Sequence, residues 1–400
     1  MTANTNYLDS TGTDLSNVYV TKEYIMDWYP DLVPQLQTPQ LWTWGLNIFG
    51  ELGDNTTVNK SSPVTTVAGG TNWKQVAAAI FRTQQTAAIK TDGTLWTWGH
   101  GSFGELGDNT AVNKSSPVTT AGGGTNWKQV ACGYWNAAAI KTDGTLWSWG
   151  YNGQGELGDN TVVTKSSPVQ PTGGGTNWKQ VACGYHTAAI KTDGTLWSWG
   201  YNSNGQLGNN TVVSKSSPVT TVAGGTNWKQ VACGYSHTAA IKTDGTLWTW
   251  GYNGYGQLGD NTTVDKSSPV TTVAGGTNWK QVSGGSFHTA AIKTDGTLWT
   301  WGSNGIGALG NNSTVDISSP VTTAGGGTNW KQVSGGNYHT AAIKTDGTLW
   351  SWGYNSNGAL GNNTTVDKSS PVTTVAGGTN WKQVAGGNSH TIAISESEGW

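Results

Sequence analysis

The last recognisable copy of a repeated unit, Trp381 to Ile394 (WKQVAGGNSHTIAI), lacks the LWSWG-type segment that follows every earlier copy. An LWTWG segment stands alone at Leu41 to Gly45, without an upstream half. A chain whose missing C-terminal piece lies at its N-terminus reads as a closed ring, because joining the halves removes the exposed sheet edges of an open array. The first tryptophan of LWxW recurs at Trp42, Trp96, Trp147, Trp197, Trp248, Trp299 and Trp350. The tryptophan of NWKQV recurs at Trp73, Trp127, Trp178, Trp228, Trp279, Trp330 and Trp381. Both series number seven, and their period of about 51 residues fits a propeller blade of four strands.

Within one unit, NWKQVACG reads as a strand ending in small residues, which suits the crowded axis where inner strands converge. HTAAIK follows, and the Asp-Gly of TDGT signals a tight hairpin into LWSWG. SSPV begins a strand in which proline is tolerable only at an outer edge. The order from axis to rim is therefore WKQV, HTAAI, LWSW, PVTT. The fold class is all-β: a seven-bladed β-propeller over residues 41–394, with a closing blade built from Trp381 to Ile394 plus Leu41 to Val67. The tryptophans two apart in LWxW share a strand face and are expected in the core between blades.

Residues 1–40 do not fit the repeat and form a short arm; residues 395–400 form a tail. Thr21 begins a helix-like pattern that ends before Pro30, with Tyr24, Ile25 and Trp28 on one face and Tyr29 adjacent. These four are the candidate anchor through which residues 15–35 contact other protein chains of a larger assembly. The N-terminus has no signal-peptide pattern, so synthesis in the cytoplasm is expected, and no apolar stretch is long enough for membrane insertion.

A formal charge of -2 and a single arginine, Arg82, imply that no basic face exists, so nucleic acid is not expected as a partner. Cys132, Cys183 and Cys233 occupy one repeat position and read as small buried residues, not as a disulfide framework or zinc site. His186, His237, His288, His339 and His390 recur once per blade, with Gln85 and Asn136 in the first two, as a repeated structural hydrogen bond would. Aspartate and asparagine alternate freely before the NT step, which argues against calcium in every blade. No cofactor, metal or convergent nucleophile and base is expected, and the protein reads as no enzyme.

The WGYNSNGQLG run at Trp199 to Gly208, GYSHT at Gly234 to Thr238 and the repeat period resemble the regulator of chromosome condensation repeat family, over Leu41 to about Ile394. The resemblance implies a seven-bladed propeller. It implies no single function, since members include a nucleotide exchange factor, a UV-B photoreceptor, β-lactamase inhibitors and parts of ubiquitin ligases. The exchange factor carries a basic tail, whereas the arm here holds Asp9, Asp14, Glu23, Asp27 and Asp31 against Lys22. The photoreceptor's tryptophan–arginine face cannot be assembled from Arg82 alone. The near-identical Thr/Asn-rich repeats look more like phage- or bacterium-encoded propellers carried on a virion surface.

The copies differ mostly in the loops after the inner strand and after LWxWG, which share one face. Phe81, Arg82, Phe103, Trp135, Asn136, Tyr185, Tyr235, Tyr255, Phe287 and Tyr338 form the candidate recognition face. The expected function is a non-enzymatic interaction propeller, virion-attached by its arm and presenting this face to a host or partner. The alternative is a carbohydrate-binding, lectin-like propeller with a glycan or host-surface ligand.

Overall fold

The computed structural model describes residues 40–395; the arm and its candidate anchor residues Tyr24, Ile25, Trp28 and Tyr29 lie outside them. The described residues form twenty-eight strands, from β1 (Leu41–Gly45) to β28 (His390–Ser395), and no helix. Seven antiparallel four-stranded sheets result. In blade 1, β3 (Trp73–Ala78) is innermost, followed by β4 (Gln85–Lys90), β5 (Leu95–Gly99) and β6 (Lys114–Thr119), the order read from the repeat. Blades 2 to 6 repeat this arrangement.

Blade 7 joins the two chain ends. Its order is β2 (Lys60–Thr65), β1, β28, β27 (Trp381–Gly386), and Leu41 pairs with Ile394 and Gly45 with His390. The last half-repeat thus finds its missing partner at the start of the chain. Ser395 belongs to β28, one residue beyond the expected end, and exchanges bonds with Gln40.

The core lies between blades. Ala188, Ile190 and Leu196 of blade 3 meet Trp228, Val231, Cys233 and Trp250 of blade 4. The seam is packed in the same way on both sides: Leu41, Ile392 and Ile394 meet Trp73 and Trp98, while Trp44 and Trp381 meet Ile343 and Leu349. The second tryptophan of LWxW is fully buried, which at about 25 cal/mol per Å² stabilises the junction by on the order of 4 to 6 kcal/mol as an upper bound. Its indole N–H also donates to the loop of the preceding blade, as Trp250 does to Gln206 O at 2.8 Å. Gly208, at φ +66, lies flat on that indole; a Cβ there would come within 2.7 Å of Nε1.

The first tryptophan of LWxW departs from expectation. It is only half-buried, because a lysine occupies its open side: Lys242 Nζ sits 4.8 Å from the Trp228 ring and 4.7 Å from that of Trp248. Blade 7 has Ser395 at the lysine position, and Trp42 Nε1 donates to its hydroxyl at 3.4 Å.

Around the axis the glutamines of WKQV take the place of inter-blade sheet bonds. Gln230 Nε2 donates to Val282 O at 3.0 Å, and Val282 N–H donates back to Gln230 Oε1 at 3.1 Å. The same clamp links each inner strand to the next, and Val76 N–H to Gln383 Oε1 at 3.1 Å carries it across the seam. The inner strands enclose an axial cavity of about 230 Å³, walled by small residues.

The expectation of no basic face, drawn from whole-chain composition, is overturned. The register gathers Lys74, Lys128, Lys179, Lys229, Lys280, Lys331 and Lys382, the second residue of each inner strand, at one end of the axis. Net charge averages over both ends of the ring and hides this segregation.

Candidate functional site

The end of the ring opposite those lysines is built in three layers. Deepest is a belt that joins neighbouring blades. Thr238 Oγ1 donates to Gln206 O at 2.8 Å, so its single hydrogen is committed. His186 Nε2, 2.6 Å from Thr238 Oγ1, must therefore be the donor, which fixes the neutral Nε2–H tautomer. His237, His288, His339 and His390 repeat this with Thr289, Thr340, Thr391 and Thr86. Burial lowers the imidazole pKa to about 3 for His186, His237, His288 and His390 and to about 4 for His339. In blades 4 to 7 the glycine that follows the inner strand leaves room for the ring: a Cβ at Gly234 would fall 2.0 Å from His237 Cε1.

Above the belt lie the GELG-type loops. Glu51 and Glu156 are buried, and each accepts a main-chain N–H, from Phe49 at 2.8 Å and Gln154 at 2.9 Å. Burial raises both carboxyls to about 7. Glu105 in blade 1 likewise accepts from Phe103 N–H, at 2.8 Å, and also contacts His100 Nδ1; the His100 ring lies edge-on to Phe49, 4.9 Å between centroids. The aspartates and asparagines before the NT step close these same loops: Asp54 Oδ1 accepts from Asn47 Nδ2 and from Thr56 N–H, both at 3.0 Å. Asn209 does the same for Asn202 and Thr211 with a neutral amide.

The outermost layer is aromatic. Phe81 lies 4.0 Å from Tyr235 and 5.5 Å from Phe287 between centroids; Tyr235 stacks on Tyr185 at 5.4 Å with planes 16° apart. Tyr134 connects Tyr185 to Trp135, and Trp135 meets Phe103 at 4.6 Å. Phe287 meets Tyr255 and Tyr338, and the Arg82 guanidinium lies 5.4 Å from the Phe81 ring centre. Nine of the ten predicted residues thus form one contiguous patch. Asn136 does not join it: the side chain is fully buried and donates to Thr187 Oγ1 at 3.4 Å, as a member of the belt. Its position in sequence matches the belt histidines, and that match outweighs its neighbour Trp135.

One feature of the patch escaped sequence reasoning. The segment between β3 and β4, residues 79–84, is three residues longer than its counterpart between Cys233 and His237 in blade 4. It crosses the axis: Ser286 Oγ of blade 5 donates to Ile80 O at 2.7 Å, and Ile80 also lines the axial cavity. The cavity is therefore stoppered at the aromatic end. Arg82 (φ +48) and Trp135 (φ +60) hold left-handed backbone, which costs non-glycine residues of their kind about 1 kcal/mol or more. The three extra residues were visible in the alignment of copies; what they reach was not.

The architecture defines a closed seven-bladed β-propeller with one plugged, aromatic end. The chain belongs to the RCC1-like domain family, whose model matches residues 36–324 and again 180–399. The ultraviolet-B receptor UVR8 of Arabidopsis thaliana is 33% identical over 364 residues, covering 88% of this chain and 70% of that protein. Human WBSCR16 has the same fold, with TM-score 0.79 and 22% identity over 90% of this chain and 100% of that one. Prp20p of Saccharomyces cerevisiae, studied for its binding to Gsp1p and histones, follows with TM-score 0.77 and 20% identity over 91% of this chain and 93% of that one. Among the described residues no group of three or more His, Cys, Asp or Glu is placed to hold a metal ion.

Proposed function

We propose that this propeller is a non-enzymatic interaction module that binds a protein partner on its plugged aromatic face. The observation that carries this reading is the patch itself: contiguous rings spanning the axis, with two non-glycine residues held in left-handed backbone at its centre. Aromatic residues and arginine are the types enriched at the energetic centres of protein interfaces. Prp20p, with the same fold, binds Gsp1p and histones.

The module is mounted, on this proposal, on a larger assembly through residues 15–35, with Tyr24, Ile25, Trp28 and Tyr29 as the contact. A phage particle is its most concrete form. The near-identical Thr/Asn-rich repeats and the apolar density of the arm support that setting. The position of Gln40, bonded to Ser395 at the end of the ring opposite the aromatic face, is compatible with it.

A glycan ligand is the second reading, but sugar stacking needs free ring faces. Tyr185 has one face against Tyr201, 4.3 Å between centroids, and another toward Tyr235. A photo-crosslinking amino acid placed at Tyr255, which is 39% exposed, tests the proposal. The expected result is a discrete protein adduct in the native assembly that is absent when the probe replaces Thr192 on the opposite face. Equal labelling from both positions, or glycan binding lost in a Trp135→Ala, Tyr185→Ala double mutant without any protein adduct, would sink it.

A further inference from the structure

The lysines at the other end of the axis are not used by the aromatic face. Each is the second residue of an innermost strand and each side chain is exposed. All seven inner strands start from the same end of the ring, so the lysines form a closed circle. Neighbouring inner strands are held together by the adjacent glutamine clamps, which fix the spacing of the main chain from which the lysines project. Among the described residues, Lys74, Lys128, Lys179, Lys229, Lys280 and Lys331 make no ion pair. Lysines at the opposite end do: Lys60, Lys114 and Lys266 lie 3.8, 3.6 and 3.6 Å from Asp54, Asp108 and Asp260.

The surroundings strengthen the circle. Six more lysines, Lys90 and its counterparts through Lys344, end the second strands at the same face and are pinned between tryptophan pairs. Against these thirteen lysines, seven and six, the described residues of the face carry six aspartates, one in each TDGT turn. Those turns join the second and third strands and so stand outside the circle. Behind it the axial cavity runs from Gln332 and Gln383, one residue past Lys331 and Lys382, to the stopper at Ile80, and its lining carries no charge. Like charges brought to one ring favour an anion seated among them.

We propose that this lysine circle is a binding site for a compact, multiply phosphorylated anion seated on the propeller axis. Lysine ammonium groups act as point charges that phosphate accepts from any direction. A closed circle presents them from all sides, which suits a small ligand charged around its whole perimeter. An extended polyanion such as duplex nucleic acid has to cross the outer aspartates, and a linear acidic peptide can meet only part of the circle at a time. This site is independent of the aromatic face.

The test is calorimetric titration of the full chain with myo-inositol hexakisphosphate and with tripolyphosphate at physiological salt. The expected result is saturable binding of one hexakisphosphate per chain, weaker binding of tripolyphosphate, and a melting temperature raised by the ligand. Lys128→Gln, Lys229→Gln and Lys331→Gln together should weaken hexakisphosphate binding roughly 100-fold. Lys165→Gln, Lys215→Gln and Lys368→Gln, at the opposite end, should leave it unchanged. Lys128, Lys229 and Lys331 are exposed and Lys165, Lys215 and Lys368 half-buried at strand ends, and far-ultraviolet circular dichroism of both triple variants should match the parent. Absence of saturable binding, equal loss in the two triple variants, or tighter binding of duplex DNA or a glutamate-rich peptide at equal total charge would overturn the proposal.

Discussion

Gln85 donates through Nε2 to the main-chain carbonyl of Glu105, bypassing the position where Ala137 lacks a hydroxyl. Elsewhere around the belt a histidine, or Asn136 in blade 2, donates to a threonine, and that threonine donates to the corresponding carbonyl, as His186, Thr238 and Gln206 do. The longer carboxamide spans in one step what imidazole and hydroxyl span in two. Two departures from the repeat, in adjacent blades, thus satisfy one buried acceptor.

A double-mutant cycle checks this compensation. Gln85→His alone leaves an imidazole N–H facing a methyl group and should destabilise the ring by about 1 to 3 kcal/mol in denaturant unfolding. Gln85→His with Ala137→Thr rebuilds the relay, and the pair should couple favourably by about 1 kcal/mol or more. Additive losses would show that the two positions are unrelated.

The belt also sets the response to acid. The five histidines have folded pKa values of about 3 to 4, below the unfolded value, so the unfolded chain binds more protons than the native one as pH falls below about 6.5. Their contribution is present above that pH and is lost progressively down to the folded values. Glu51 and Glu156 act in the opposite sense: with folded values near 7, their stabilisation is present below the usual carboxylate range and is lost as pH rises through 7. Because five histidines outweigh two glutamates, melting temperature should rise steeply from about pH 4 toward pH 7 and level off just above it. A melting temperature that is flat between pH 4 and 7 would mean that the histidines are not held neutral.

Arg82 offers a test of strain at the aromatic face. At φ +48 a glycine is at ease where arginine is not, so Arg82→Gly should leave stability unchanged or raise it by up to about 1 kcal/mol, while removing the cation beside Phe81. Crosslinking from Tyr255 should weaken in the same variant. A loss of more than 1 kcal/mol in denaturant unfolding would show that the left-handed conformation is not strained.

Much of the fold was legible because it repeats. The two tryptophan series fixed the number of blades, Asp-Gly and proline ordered the strands, and the half-repeats located the seam. The stopper was less legible, since three extra residues after Ala78 are visible in sequence but their bond to Ser286 depends on reaching across the axis. The lysines were hidden for a different reason: one per copy is unremarkable along the chain, and only sevenfold closure turns them into a circle. Asn136 was assigned to the surface by its neighbour Trp135, although its alignment with the histidines already placed it in the belt.

Ring closure is the claim on which all of this rests, and deletion of Leu41 to Thr65 tests it most directly. That deletion removes β1 and β2, strips the whole ladder from β28 and uncovers Trp73 on one side and Trp381 on the other. The measurement is thermal unfolding by circular dichroism together with solubility after expression. The ring predicts an insoluble chain, or a partly unfolded one with a broad, early transition. A soluble deletion that melts at the parent's temperature, in an equally sharp transition, would contradict it.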